Sequence, residues 1–284
     1  MTNSAKRRGT SGQRDLVEQG RHASYERRWP ARSCKDLTEV GEKMDITATP
    51  GAKMQFLIGR RPEATREELI ANWFANHMPD VIASQHRAAD KGQPHATRYI
   101  ATLYNPVPSG EQVWDGIAQL WWDKPLPRAT EAHGTEPRDT FQQKAKPYVA
   151  WPTTEYVIVD GTLSHVPNTL NDPYPCTRSG FLKVTTLLTA RADTNVDDLF
   201  AHWLNIHAPN VANVMEQVGG SRYVISHSIE PAIDPYVGMA ELYFPNKEAL
   251  RTYLDIYESD GIEQFIDHEA QLSFRSTTEM VGIP

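Results

Sequence analysis

The chain has 284 residues, 39% hydrophobic and 23% charged, with a formal net charge of −7, an ordinary globular composition with room for two small domains. Residues 1–35 hold nine Lys or Arg against three Asp or Glu, which leaves the rest at −13, so an acidic body argues against a nucleic-acid partner. No segment approaches the roughly 18 apolar residues of a membrane helix and no apolar leader follows Met1, so no membrane partner and cytoplasmic residence are expected.

Residues 1–50 are polar, basic and without periodicity, and are expected to be a disordered arm. Cys34 and Cys176 form no Cys-x-x-Cys, and no His pair has metal spacing, so no metal site is expected. The body is dominated by a repeat. Glu68-Leu69-Ile70-Ala71-Asn72-Trp73-Phe74-Ala75-Asn76-His77-Met78-Pro79-Asp80-Val81 returns at a constant offset as Asp198-Leu199-Phe200-Ala201-His202-Trp203-Leu204-Asn205-Ile206-His207-Ala208-Pro209-Asn210-Val211. Arg98-Tyr99-Ile100 answers Arg222-Tyr223-Val224, Gly116–Trp122 answers Gly238–Phe244, and Thr153-Thr154-Glu155 answers Thr277-Thr278-Glu279. The expected organisation is a first domain over 51–160, a linker over 161–180 rich in Pro and Gly, and a second domain over 181–284.

In chain order, Met54–Ile58 and Leu182–Leu188 read as first strands. Thr65 with Glu68 reads as a capping box, with Asn195 and Asp198 as the counterpart, so a helix begins in each copy. Leu69, Trp73 and His77 share one stripe, as do Leu199, Trp203 and His207. Pro79 and Pro209 are expected to interrupt each helix two residues after its His. Arg98–Tyr104 and Arg222–Ser228 read as second strands, and Ile117–Trp122 and Met239–Phe244 as third strands. A second helix is clear only in the later copy, capped by Asn246 over Lys247–Tyr257; in the first copy Pro125, Pro127 and Pro137 break the equivalent region. Glu155–Val159 and Glu279–Val281 close each copy as fourth strands. Strand, helix, strand, strand, helix, strand is an α+β order, the ferredoxin-like unit, and two such sheets in one chain can cover each other as a barrel with a lined interior.

The Trp-x-x-x-His-x-Pro helix, the Gly116–Trp122 and Gly238–Phe244 strands and the closing Thr-Thr-Glu resemble the EthD domain of the dimeric α+β barrel superfamily, present as a tandem pair. The resemblance covers about residues 53–160 and 181–283. It implies a barrel around a small, often aromatic or polyketide-like molecule, and relatives that are cofactor-independent decarboxylases, cyclases or dehydratases, monooxygenases, or proteins without assigned activity. Where His is catalytic in such proteins it is an acid or base, a role that falls here on His77 and His207. No cofactor is implied, and homodimerisation is compatible with the resemblance.

On the residues themselves, His77 and His207 are candidate acid/base groups, with a core His bonded to a carbonyl freed by the following Pro as the alternative. Trp73 and Trp203 are expected to be core. Tyr99 and Tyr223 are expected to point into the barrel, with His227 on the face of Tyr223 and Tyr104 opposite Tyr99. Arg98 and Arg222 are candidates to hold a substrate carboxylate. The functional expectation is a lyase removing CO2 or water from a small hydrophobic, aromatic substrate. An oxygenase of the same fold, a non-catalytic binding protein and a haem-binding variant with His207 as axial ligand are the alternatives.

Overall fold

The computed structural model describes residues 44–107, 112–161 and 172–284. The strands are β1 (Ala52–Ile58), β2 (Arg98–Leu103), β3 (Gly116–Trp122), β4 (Trp151–Asp160), β5 (Cys176–Leu188), β6 (Arg222–Ser228), β7 (Gly238–Phe244) and β8 (Leu272–Ile283). All pair antiparallel in a closed barrel ordered β1-β3-β2-β8-β5-β7-β6-β4. Residues 44–284 form one compact unit. The two copies close on each other where β2 meets β8 and β4 meets β6. Closure leaves no free sheet edge in the barrel.

Because a closed sheet buries both of its faces, strand residues alternate between a barrel interior and a helix-covered exterior. Leu57, Tyr104, Ile117, Trp151, Leu187, Met239 and Phe274 pack inside. Outside, α1 (Arg66–Asn72) and α2 (Met78–Asp90) cover the first copy through Leu69, Trp73, Met78 and Ile82, which pack with Tyr99, Ala101 and Leu120. The second copy is covered by α3 (Val196–His202), α4 (Ala208–Gln217) and α5 (Lys247–Ile256), where Leu199, Trp203, Val211, Met215 and Leu250 pack on Tyr223, Ile225 and Leu242.

The helix starts follow local chemistry. Thr65 and Glu68 form the full capping box, the Glu68 amide donating to Thr65 Oγ1 at 3.1 Å and the Thr65 amide to Glu68 Oε2 at 2.9 Å. Asn195 instead accepts from the Asp197 amide at 3.0 Å, so the expected pairing with Asp198 is not made. Asn246 caps α5 by accepting from the Ala249 amide.

The prolines do not interrupt the helices. Trp73–His77 and Trp203–His207 are π-helical turns that run straight into α2 and α4. In each, the amide of the next residue, Met78 or Ala208, reaches back five residues to the Trp carbonyl. Widening the turn at this point accommodates a proline ring that would press on the carbonyl four residues back in a regular helix. His77 and His207 therefore end a bulge within a continuous helix.

The same turns explain the paired glycines. A Cβ on Gly238 would lie 2.7 Å from Cζ3 of Trp203 and 2.9 Å from the Ser226 carbonyl oxygen; on Gly116 it would lie 2.5 Å from the Thr102 carbonyl oxygen and 3.1 Å from Trp73. The Trp of each helix lies against the Gly that opens the third strand, so the two motif elements are one contact.

The ends of the expected linker and of the expected arm differ from expectation. Cys176–Gly180 belongs to β5 and not to a linker, with Cys176 opposite Val281 and Ser179 opposite Thr278. Residues 162–171 of the expected linker, and residues 1–43 of the expected arm, lie outside the described residues. The last residues of that arm are ordered against the barrel, since Ala48 bridges Tyr156 and the Thr49 amide donates to the Glu155 carbonyl at 2.8 Å. The hydrogen bonds offered by β4 hold this segment in place.

Candidate functional site

Both histidines are held by an aspartate from the loop that follows the third strand or α5. His77 Nδ1 lies 2.7 Å from Asp139 Oδ2, and His207 Nδ1 lies 2.9 Å from Asp260 Oδ2. Each Asp also takes a loop amide on its other oxygen, Gln142 on Asp139 and Ile262 on Asp260. An ionised carboxylate only accepts, so the Nδ1–H of each His donates and Nε2 is left for other chemistry. Burial alone would raise the Asp260 carboxyl, but the hydrogen bond and charge of His207, with the amides of Asn210 and Ile262, hold it at about 2. Asp139 is likewise held below its ordinary value against its burial, chiefly by His77 and the Gln142 amide.

The surroundings of the two pairs differ. Phe141 fills the space beside His77, its ring 4.4 Å from the imidazole, 5.3 Å from Trp73 and 6.1 Å from Tyr148. In the second copy the matching position is Ile262, and a cavity of about 380 Å³ opens beside His207 between the sheet, α5 and the following loop. Its wall is largely aromatic and aliphatic, with Tyr223, Tyr253, Tyr257, Glu263, His268 and Gln271 among its polar groups and with no Lys or Arg. The Tyr257 hydroxyl lies 3.3 Å from His207 Nδ1. Burial pushes the Tyr223, Tyr253 and Tyr257 hydroxyls up, with the Asp260 charge adding to each, so all three stay protonated and able to donate.

The aspartates were missed in the sequence although a signal existed. Asp139-Thr140-Phe141-Gln142-Gln143 and Asp260-Gly261-Ile262-Glu263-Gln264 share Asp-x-apolar-x-Gln, at an offset one less than that of the third strands. The repeat thus continues through the region broken by prolines. Matching bridges, Arg60 to Ala145 and Ala190 to Ile266, hold both loops on the sheet.

Tyr99 and Tyr223 do not point into the barrel. Both face the helices, where Trp73 Nε1 donates to the Tyr99 hydroxyl at 3.1 Å and Trp203 Nε1 to that of Tyr223 at 3.4 Å. The apolar neighbours Ile100 and Val224 line the interior instead. Tyr99 is sealed in the first core, whereas Tyr223 reaches the His207 cavity from its sheet side. His227 is also on the helix side and lines neither cavity. It is stacked on Phe200 at 3.9 Å and lies 5.0 Å from Trp203, with Nε2 buried and without a hydrogen bond. Desolvation lowers it to about 3, so it is a neutral core residue at ordinary pH.

Arg98 and Arg222 stand at one mouth of the barrel, around a cavity of about 300 Å³. Beneath them lies a buried ladder of charge. Lys53 Nζ is 3.1 Å from Glu155 and 2.5 Å from Glu241; Lys183 Nζ is 2.5 Å from Glu241 and 2.9 Å from Glu279; Arg178 Nε is 2.5 Å from Glu279. Three cations thus meet three carboxylates, which is how charge is tolerated out of water. Glu279 is held at about 2 and Glu241 below its ordinary range, against burial, chiefly by Lys183.

Among the described residues no group of three or more His, Cys, Asp or Glu is arranged to hold a metal, and no helix is long and apolar enough to cross a membrane. No protein-family model and no curated protein matches the sequence. Solved structures do. An anthrone oxidase-like protein matches at 11% identity, over 84% of this chain and 96% of that one, with a TM-score of 0.46. A dye-decolorizing peroxidase from Bacteroides thetaiotaomicron matches at 9%, over 83% and 95%, at 0.44. A heme-binding protein from Thermus thermophilus matches at 11%, over 84% and 94%, at 0.35. By its own elements the chain is a mixed α+β protein with a large closed antiparallel sheet.

Proposed function

We propose that this chain is a tandem pair of EthD-like, ferredoxin-like units that works as a cofactor-independent lyase on a small hydrophobic, aromatic molecule, with His207 as the acid/base group. The strand order β4-β1-β3-β2, repeated as β8-β5-β7-β6, supports the duplicated unit. The observation that carries the function is a His on an ionised Asp at the wall of an aromatic cavity. Asp260 fixes the imidazole and stabilises its cation. In that form Nε2 gives its proton to a leaving hydroxyl, which departs as water, and the neutral ring then takes the proton from the adjacent carbon, restoring the starting state. Tyr223, Tyr253 and Tyr257 are donors for the oxygens of the substrate.

The test is the reaction of purified protein with a panel of hydroxylated aromatic and polyketide-like compounds and of aromatic acids, followed by mass spectrometry for loss of water or CO2. Turnover in the wild type, reduced about 10²–10⁴-fold in His207→Gln, is the expected result. Consumption of O2 on an oxygen electrode would replace the lyase with an oxygenase, and binding without conversion would leave a ligand carrier.

A further inference from the structure

The mouth of the barrel lies on the opposite face of the sheet from the His207 cavity, and one of its cations is without an ion pair among the described residues. Lys53, Lys183 and Arg178 are matched inside by Glu155, Glu241 and Glu279, and Arg222 is ion-paired with Asp160. Arg98 is the counterpart of Arg222 in the repeat, yet among the described residues it makes no ion pair. Its guanidinium lies over the Trp121 ring, 5.3 Å from the centroid. The register explains the difference. Asp160 stands opposite Arg222; one position beyond the Tyr99–Ile283 pair, the residue facing Arg98 is Pro284, which brings no carboxylate side chain. Arg98 is thus the cation of the mouth that no carboxylate side chain meets among the described residues. Its remaining walls are Trp121, Tyr243, Ile100 and Val224, and its volume of about 300 Å³ is at the small end for ligand pockets.

We propose that the barrel mouth is a second binding site, which takes a small, flat aromatic monocarboxylate with its carboxylate on Arg98 and its ring among Trp121, Ile100 and Val224. Arg98 lies over the Trp121 ring and lines the cavity, so its N–H groups are placed to meet a carboxylate beside an aromatic wall. Dianions are disfavoured because Arg222 is already occupied by Asp160.

Benzoate titrated into the full chain by calorimetry, with benzamide as its neutral isostere and Trp fluorescence as a second readout, tests this. Benzoate is expected to bind more tightly than benzamide. Arg98→Met should weaken benzoate about 10–100-fold, the range of a lost charge-assisted hydrogen-bond pair, and leave benzamide unchanged. Arg98→Lys should recover part of the loss. His207→Gln should bind benzoate as the wild type does, which separates this site from the proposed lyase centre. Equal binding of benzoate and benzamide, no benzoate binding, or a loss in His207→Gln without one in folded Arg98→Met would each overturn the proposal.

Discussion

The two copies carry the same His–Asp pair on the same π turn but differ in what packs beside it: Phe141 and Tyr148 in the first, Ile262 and α5 in the second. In the first copy the Phe141 ring is buried against His77 and Trp73. In the second, the shorter side chain leaves a cavity beside His207, between the sheet and α5. The polar pair is thus kept in both copies while the space beside it is filled by Phe141 in one and left as a cavity in the other. The pairing of Trp with Gly, and of His with Asp, belongs to how each copy is built; access belongs to the residue packed beside it.

The largest expected difference is in turnover. His207→Gln should lower it about 10²–10⁴-fold, whereas His77→Gln should leave it within about twofold, read from initial rates on whichever substrate the panel yields. Equal losses in the two variants would mean that the first copy is not closed.

Next in size is the plug itself. Phe141→Ala should cost about 3–5 kcal/mol of stability in chemical denaturation and create an apolar cavity beside His77. A small aromatic such as indole should then raise the melting temperature of the variant and not that of the wild type. Absence of such a rescue would show that the space collapses and that Phe141 is not what distinguishes the copies.

A smaller difference lies on the second strands, where the second copy has His227 at the position of Leu103. His227 falls from its ordinary 6.5 to about 3 by burial, so the unfolded chain binds a proton that the folded chain refuses. Folding stability is full above about pH 6.5 and declines as pH falls toward 3, by about 2 kcal/mol between pH 6.5 and 5. His227→Leu, which installs the first-copy residue, should flatten that interval in denaturation midpoints. Asp260 acts in a lower window: its carboxyl is depressed from 3.8 to about 2, so its contribution is present above about pH 4 and lost as pH falls through 2. The two are therefore separable by pH.

Much of this was legible before any coordinates. The internal repeat placed part of every strand of both copies, though β4, β5 and β8 run longer than expected, and local signatures placed the Thr65 and Asn246 caps. The positions of His77 and His207 were legible too, but not their partners, because Asp139 and Asp260 sit in loops whose five-residue match is hidden by prolines and a shifted offset. Nor was the role of Gly116 and Gly238 legible, since a sequence does not show a Trp lying on a backbone some forty or thirty-five residues away.

The facing of the strands could not be read at all. Alternation assigns a face only when one side is wet. In Arg98–Leu103 both sides are buried, one by helices and one by the closed barrel, so Tyr99 and Ile100 are equally good candidates for either. The sequence by itself determined which blocks of residues recur and in what order. Only the tertiary structure decided which face each strand turns inward, that proline is absorbed by a π turn, and that Phe141 packs on one His while the other lines a cavity. Those outcomes depend on which surfaces compete for the same space, and that competition exists only once the two sheets have closed.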